Sequence, residues 1–200
     1  MASGIAQARQ LFRQRGGALR TKEALAAGVH PRTLYAMHRN GELERLARGL
    51  YRLAELPTPT DPDLATVAKR VPQGVICLIS ALAHHGLTTQ IPHVVDLALP
   101  RTARRPALDY PPLRVFRFSG QAFEAGIETH VMDGVAVRIY SPEKTLADCF
   151  KFRNKIGLDV AIEAIRAYRA RRDARLERVL EYARICRVEK LVRPVLEALA

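Results

Sequence analysis

Between Gly28 and Leu53 the sequence reads GVHPRTLYAMHRNGELERLARGLYRL. Arg32, Ala36 and Arg39 recur at the spacing of one side of a helix, with Thr33 and Tyr35 beside them. Arg45, Arg48 and Arg52 follow in a short stretch punctuated by Gly49. A guanidinium is a planar fork of donors that matches the O6/N7 edge of guanine, and hydroxyls and helix N-terminal amides hold phosphates. The chemistry such residues offer is polyanion recognition rather than bond making. Arg32 or Arg39 would read a base, Thr33 would hold a phosphate, and the small Ala36 would keep the centre of the face slim. Arg20 and Lys22, just upstream, would clamp flanking phosphates.

The surrounding elements suit that task. Ile5, Ala8, Leu11 and Phe12 predict a first helix ended by Gly16 and Gly17, and Thr21 precedes a compact second helix, KEALAAG, as its cap. Pro31 suits the first position of a third helix, where its missing N–H costs nothing. Leu34, Met37 and His38 then turn inward, Arg32, Thr33, Ala36 and Arg39 outward, with Tyr35 at the boundary. Asn40 and Gly41 stop this helix, and LERL and GLYRL flank Ala47, Arg48 and Gly49 as two strands of a hairpin. Three helices and a hairpin are the order of a winged helix-turn-helix, whose outward helix enters the major groove while the wing follows the backbone.

Charge supports this reading. The 200 residues carry 32 Lys and Arg against 20 Asp and Glu, a net charge of +12 and a pI near 10.3, a balance that favours polyanions. Residues 1–56 hold 10 basic and 4 acidic residues, half of that excess in well under half the chain. Cys77, Cys149 and Cys186 lie far apart without CxxC spacing, so they read as small core residues rather than a disulfide framework or zinc knuckle. No signal peptide is visible and no apolar run reaches the ~18 residues of a membrane span. The cytoplasm is the expected compartment.

The fold class expected is α+β: a winged helix-turn-helix over 1–56, a Pro- and Thr-rich linker over 57–63, and a mixed α/β domain with a helical tail over 64–200. In that second part Leu64, Val67, Ala68 and Val71 mark an amphipathic helix, and Val75 to His85 an apolar, buried one. Strands are expected in HVVDLAL, LRVFRF, ETHVM and VAVRIY, the last two joined at Asp133 and Gly134. Ser141 and Pro142 open a helix, and Leu158–Arg171, Ala174–Cys186 and Val188–Leu199 complete the tail. Arg101, Arg104, Arg105, Lys144, Lys151, Arg153 and Lys155 are candidates for a second basic surface. Lys144 near a helix N-terminus opposes the macrodipole by a few tenths of a kcal/mol, and Asp148 one turn later is its expected partner.

The stretch from Thr21 to Leu53, together with LISALAHHGLTTQIPHVVDLALP, DGVAVRIYSPEKTLADCFKFRNKIG and the Arg-rich C-terminal helices, resembles the AbiEi-type antitoxins of type IV toxin-antitoxin systems of the abortive-infection kind. The resemblance implies a transcriptional autorepressor whose winged helix binds inverted repeats upstream of its own operon. It also implies a second domain that counters a nucleotidyltransferase-like toxin without a stable complex. Arg32, Thr33 and Arg39 match helix positions of that family, and Arg48 with Gly49 the wing tip. Geometry suggests a dimer on DNA, because one such module reads only a few base pairs.

Two other readings stand beside it. One is a stand-alone winged-helix regulator whose C-terminal domain binds RNA or protein. The other is a metal-dependent nuclease built on Asp96, which lacks the Glu-x-Lys such a core places on the next strand. No GxxxxGK[ST], HExxH or GxSxG is present. His84 and His85 read as hydrogen-bonded boundary residues, since only His93 and Asp96 lie near them. Neither an enzyme nor a cofactor or metal is expected.

Overall fold

The computed structural model describes residues 2–55, 61–132 and 134–198. The chain divides into two compact units, Met1–Pro72 with Ala107–Pro111 and His130–Val137, and the remainder.

The first unit opens with α1 (Ala2–Gln14), β1 (Ala18–Arg20), α2 (Thr21–Ala26), α3 (Pro31–Arg39), β2 (Leu43–Ala47), β3 (Leu50–Leu53) and α4 (Pro62–Arg70). Phe12, Leu19, Ala24, Leu34, Met37, Leu43, Tyr51 and Leu53 form its core, so most of the inward positions read from periodicity pack there, but His38 does not: it is exposed, with its ring bonded to the Leu43 carbonyl at 3.0 Å. The strands form an antiparallel sheet in the order β1-β3-β2. β1 was not expected: three residues are too few to show a period of two, and they become a strand only by pairing with β3, some thirty residues further along the chain. Thr21 is not the cap of α2. The helix starts at Thr21, and the Glu23 carboxylate reaches back to the Arg20 N–H at 2.8 Å. Pro31 does occupy the first turn of α3, with the His30 ring accepting from the Arg32 N–H at 3.2 Å. Asp61 caps α4, its carboxylate accepting from the Leu64 N–H. Part of the expected linker is therefore helix start, the rest lies outside the described residues, and α4 groups with the first unit.

The remaining elements form a five-stranded mixed sheet and its helices, residues 130–137 of one hairpin being grouped with the first unit. The elements are β4 (Val75–Ile76), α5 (Leu78–His84), β5 (Val95–Pro100), β6 (Leu113–Phe118), α6 (Gln121–Glu124), β7 (Ile127–Met132), β8 (Val135–Tyr140), α7 (Pro142–Lys151), α8 (Arg153–Ile156), α9 (Leu158–Arg169), α10 (Leu176–Ile185) and α11 (Glu189–Ala198). The strand order is β6-β5-β4-β8-β7. The residues from Val75 to His85 are not one helix. Val75 and Ile76 pair with β5 and β8, and a buried apolar run of this length carries no period that separates strand from helix. The turn between them puts Leu78 at φ 46°, and the Asp96 carboxylate on β5 accepts the Ile79 N–H at 3.0 Å, fastening the start of α5. The expected helices of the tail are present, shortened at their ends, and the helix after Ser141 breaks at Phe152 into α7 and α8. The β7–β8 hairpin is as expected, although Asp133 lies outside the described residues.

Candidate nucleic-acid interface

The third helix and the hairpin after it supply several of the exposed cations of the first unit. Leu34 and Met37 are fully buried, which turns Arg32, Tyr35 and Arg39 to solvent. Tyr35 is 55% exposed, further out than its expected place at the boundary. Thr33 and Ala36 are half-buried instead, Thr33 because α1 approaches it: a Cβ on Gly4 would lie 3.6 Å from its hydroxyl. Arg45 and Arg48 on the hairpin and Lys22 on α2 are exposed.

The module's carboxylates are taken elsewhere. Glu42 pairs with Arg9 at 2.5 Å, Glu55 with Arg13 at 2.9 Å and Glu44 with Arg52 at 3.2 Å, while Glu23 holds the Arg20 N–H. Among the described residues, Arg32, Arg39, Arg45 and Arg48 therefore make no ion pair, and their charge is available to a ligand. Exposed pairs of this kind contribute little to stability, so their main consequence is to sort which cations remain unneutralised.

Two expected contacts are relocated. Arg52 is 4% exposed and bound to Glu44, so it braces the hairpin from inside rather than offering a donor outside. Arg20 is half-buried, with its guanidinium donating to the Lys69 carbonyl at the end of α4. The hairpin turn is pinned as well: Gly49, at φ 71°, accepts the Thr21 N–H at 2.9 Å, and the Arg48 carbonyl accepts from Arg70 at 2.6 Å. A side chain at position 49 would meet the left-handed backbone region that glycine tolerates.

The candidate basic surface of the second unit splits apart. Arg101, Arg104, Arg105 and Lys155 are exposed, while Lys151 and Arg153 are half-buried. Lys155 lies over the rings of Phe116 and Phe152 at 5.7 and 5.9 Å, and Arg153 donates to the Phe150 carbonyl. Lys144 is not a surface residue at all: it is fully buried and bound to Asp148. Asp96 is equally committed. Arg114 grips both its oxygens at 2.7 and 2.9 Å, and burial pushes its carboxyl above the usual range against that pairing. No group of three or more His, Cys, Asp or Glu suited to a metal ion occurs among the described residues. His85 bonds the Tyr140 carbonyl at 2.8 Å, the boundary role expected of it. No described helix is long and apolar enough to cross a membrane.

No curated protein matches this chain. The crystal structure of the RV2827C protein from Mycobacterium tuberculosis is similar over 95% of this chain and 79% of its own, with a TM-score of 0.57 at 15% identity. That likeness concerns the fold alone. Residues 6–54, from within α1 to the end of the hairpin, match the family described as transcriptional regulator, AbiEi antitoxin.

Proposed function

We propose that the protein is a DNA-binding autorepressor and antitoxin of a type IV toxin-antitoxin system. Its α3 enters the major groove, with Arg32 and Arg39 reading bases and Tyr35 beside them. The β2–β3 hairpin acts as the wing, with Arg45 and Arg48 on the phosphates and Lys22 flanking them. The observation that carries the reading is the unneutralised state of Arg32, Arg39, Arg45 and Arg48 within the segment that matches the regulator family. Two copies would bind an inverted repeat upstream of the operon, and the second unit would counter a nucleotidyltransferase-like toxin without forming a lasting complex.

Fluorescence anisotropy of the full chain on the DNA upstream of its own gene and on a scrambled duplex, across a salt series, tests the repressor half. Tight binding that prefers the upstream sequence and weakens steeply with salt is expected. Equal, weak binding to both duplexes would overturn it. Co-expression with an adjacent nucleotidyltransferase-like gene tests the antitoxin half, growth being restored only when this chain is present.

A further inference from the structure

We infer that the C-terminal end of α4 is a further DNA-backbone site, in which Arg70 and Lys69 join Arg20 and Arg48 to seat a phosphodiester beside the wing; this rests on the DNA-binding reading. Arginines are exchanged across this corner in both directions. Arg20, the last residue of β1, donates to the Lys69 carbonyl, and Arg70, from α4, donates to the Arg48 carbonyl in the wing turn. The Arg70 Nη1 lies 3.9 Å from the place a Cβ on Gly49 would take, with the Thr21 hydroxyl 3.6 Å from the same point. Two guanidiniums, those of Arg20 and Arg70, are thus held against the backbone carbonyls of Lys69 and Arg48, and among the described residues none of these four residues pairs with a carboxylate.

A helix C-terminus favours a cation, but the effect is small at exposed sites and is confined to the last turn. It accounts for Lys69 or Arg20 against the end of α4. It does not account for Arg70, whose guanidinium leaves its own helix end for the hairpin, nor for Arg48 on that hairpin. The Arg20 Nε is buried with no hydrogen-bond partner among the described residues, a donor left over in the cluster. Guanidiniums keep several donors after one is spent on a carbonyl, and a phosphodiester is the acceptor-rich anion that matches them.

The test is the salt dependence of full-length protein binding the upstream duplex, for the wild type, Arg70→Met, Arg70→Lys and Lys69→Met, with melting temperatures alongside. If Arg70 meets a phosphate, Arg70→Met makes the log–log salt slope shallower by about one unit, and Arg70→Lys keeps the wild-type slope. Lys69→Met flattens the slope likewise. An Arg70→Met protein that binds more weakly with an unchanged slope, or that differs only in melting temperature, would overturn the site and leave the DNA-binding reading in place. A wild type without salt-sensitive DNA binding would overturn both.

Discussion

The Lys144 ammonium lies 2.5 Å from the Asp148 carboxylate, one helical turn away, with both side chains fully shielded from solvent. The ammonium also sits 4.1 Å from the centre of the Tyr140 ring and 5.0 Å from that of Phe118, an arrangement in which ring faces replace water. The other Asp148 oxygen accepts from the Cys186 thiol at 3.2 Å, which ties α7 to the residue that ends α10. Gly126 is obligatory beside it: at φ 72°, a Cβ there would lie 2.6 Å from the Lys144 Cβ. An unfavourable lysine in the first half of α7 is thereby explained by what it pairs with inside the protein.

Removing one partner leaves the other charge buried and unpaired. Asp148→Ala should cost about 3–5 kcal/mol of stability, and Lys144→Met a similar amount, read from urea unfolding followed by circular dichroism. The double variant Lys144→Met/Asp148→Leu removes both charges and is expected to recover most of that loss. A double variant as unstable as the sum of the singles would mean that the two residues act independently and that the unpaired charge is not the source of the loss.

Four arginines of the first unit should separate by mechanism when binding to upstream and scrambled duplexes is compared. Arg32→Ala and Arg39→Ala should each lose sequence preference at a cost of ~1–3 kcal/mol. Arg48→Ala should weaken both duplexes alike and lower the salt slope by about one unit. Arg52→Ala should leave the slope unchanged and lower the melting temperature, because Arg52 is buried against Glu44. A flattened slope for Arg52→Ala would put that guanidinium on the DNA after all.

The three thiols should be silent in the native protein. Burial first, and the Asp148 charge second, push the Cys186 thiol from an ordinary 9.0 to about 12. Cys77 and Cys149 are raised too, with burial the chief cause. A disulfide reagent at pH 8 should label none of them until urea is added. For Cys186 the folded value lies above the unfolded one, so its contribution to stability is fully present below about pH 9 and is lost as the pH rises towards 12. Stability measured from pH 8 to 11 should therefore decline less steeply in Cys186→Ala.

What could be read along the chain were devices acting over a few residues. Pro31 in the first turn of α3, the Ser141 hydroxyl accepting the Lys144 N–H at 3.3 Å, and the i, i+4 pairing of Lys144 with Asp148 depend on spacing, and spacing is visible. The inward faces of α1 and α3 followed from period for the same reason. Short elements without a period were not legible: β1 and β4 exist because partners distant in sequence complete their hydrogen bonds.

Charge, too, was countable from composition, but its disposition was not. Whether an arginine is free or engaged depends on residues brought to it by folding, as Glu42 is brought to Arg9, Asp96 to Arg114 and the Arg48 carbonyl to Arg70. The amino-acid order by itself determined a basic protein with a helix and a hairpin suited to polyanions. Only the tertiary structure decided that Lys144 and Arg52 lie inside and Arg32, Arg39, Arg45 and Arg48 outside, because desolvation and ion pairing are set by neighbours in space, and one residue's shift in burial reverses what a charge can do.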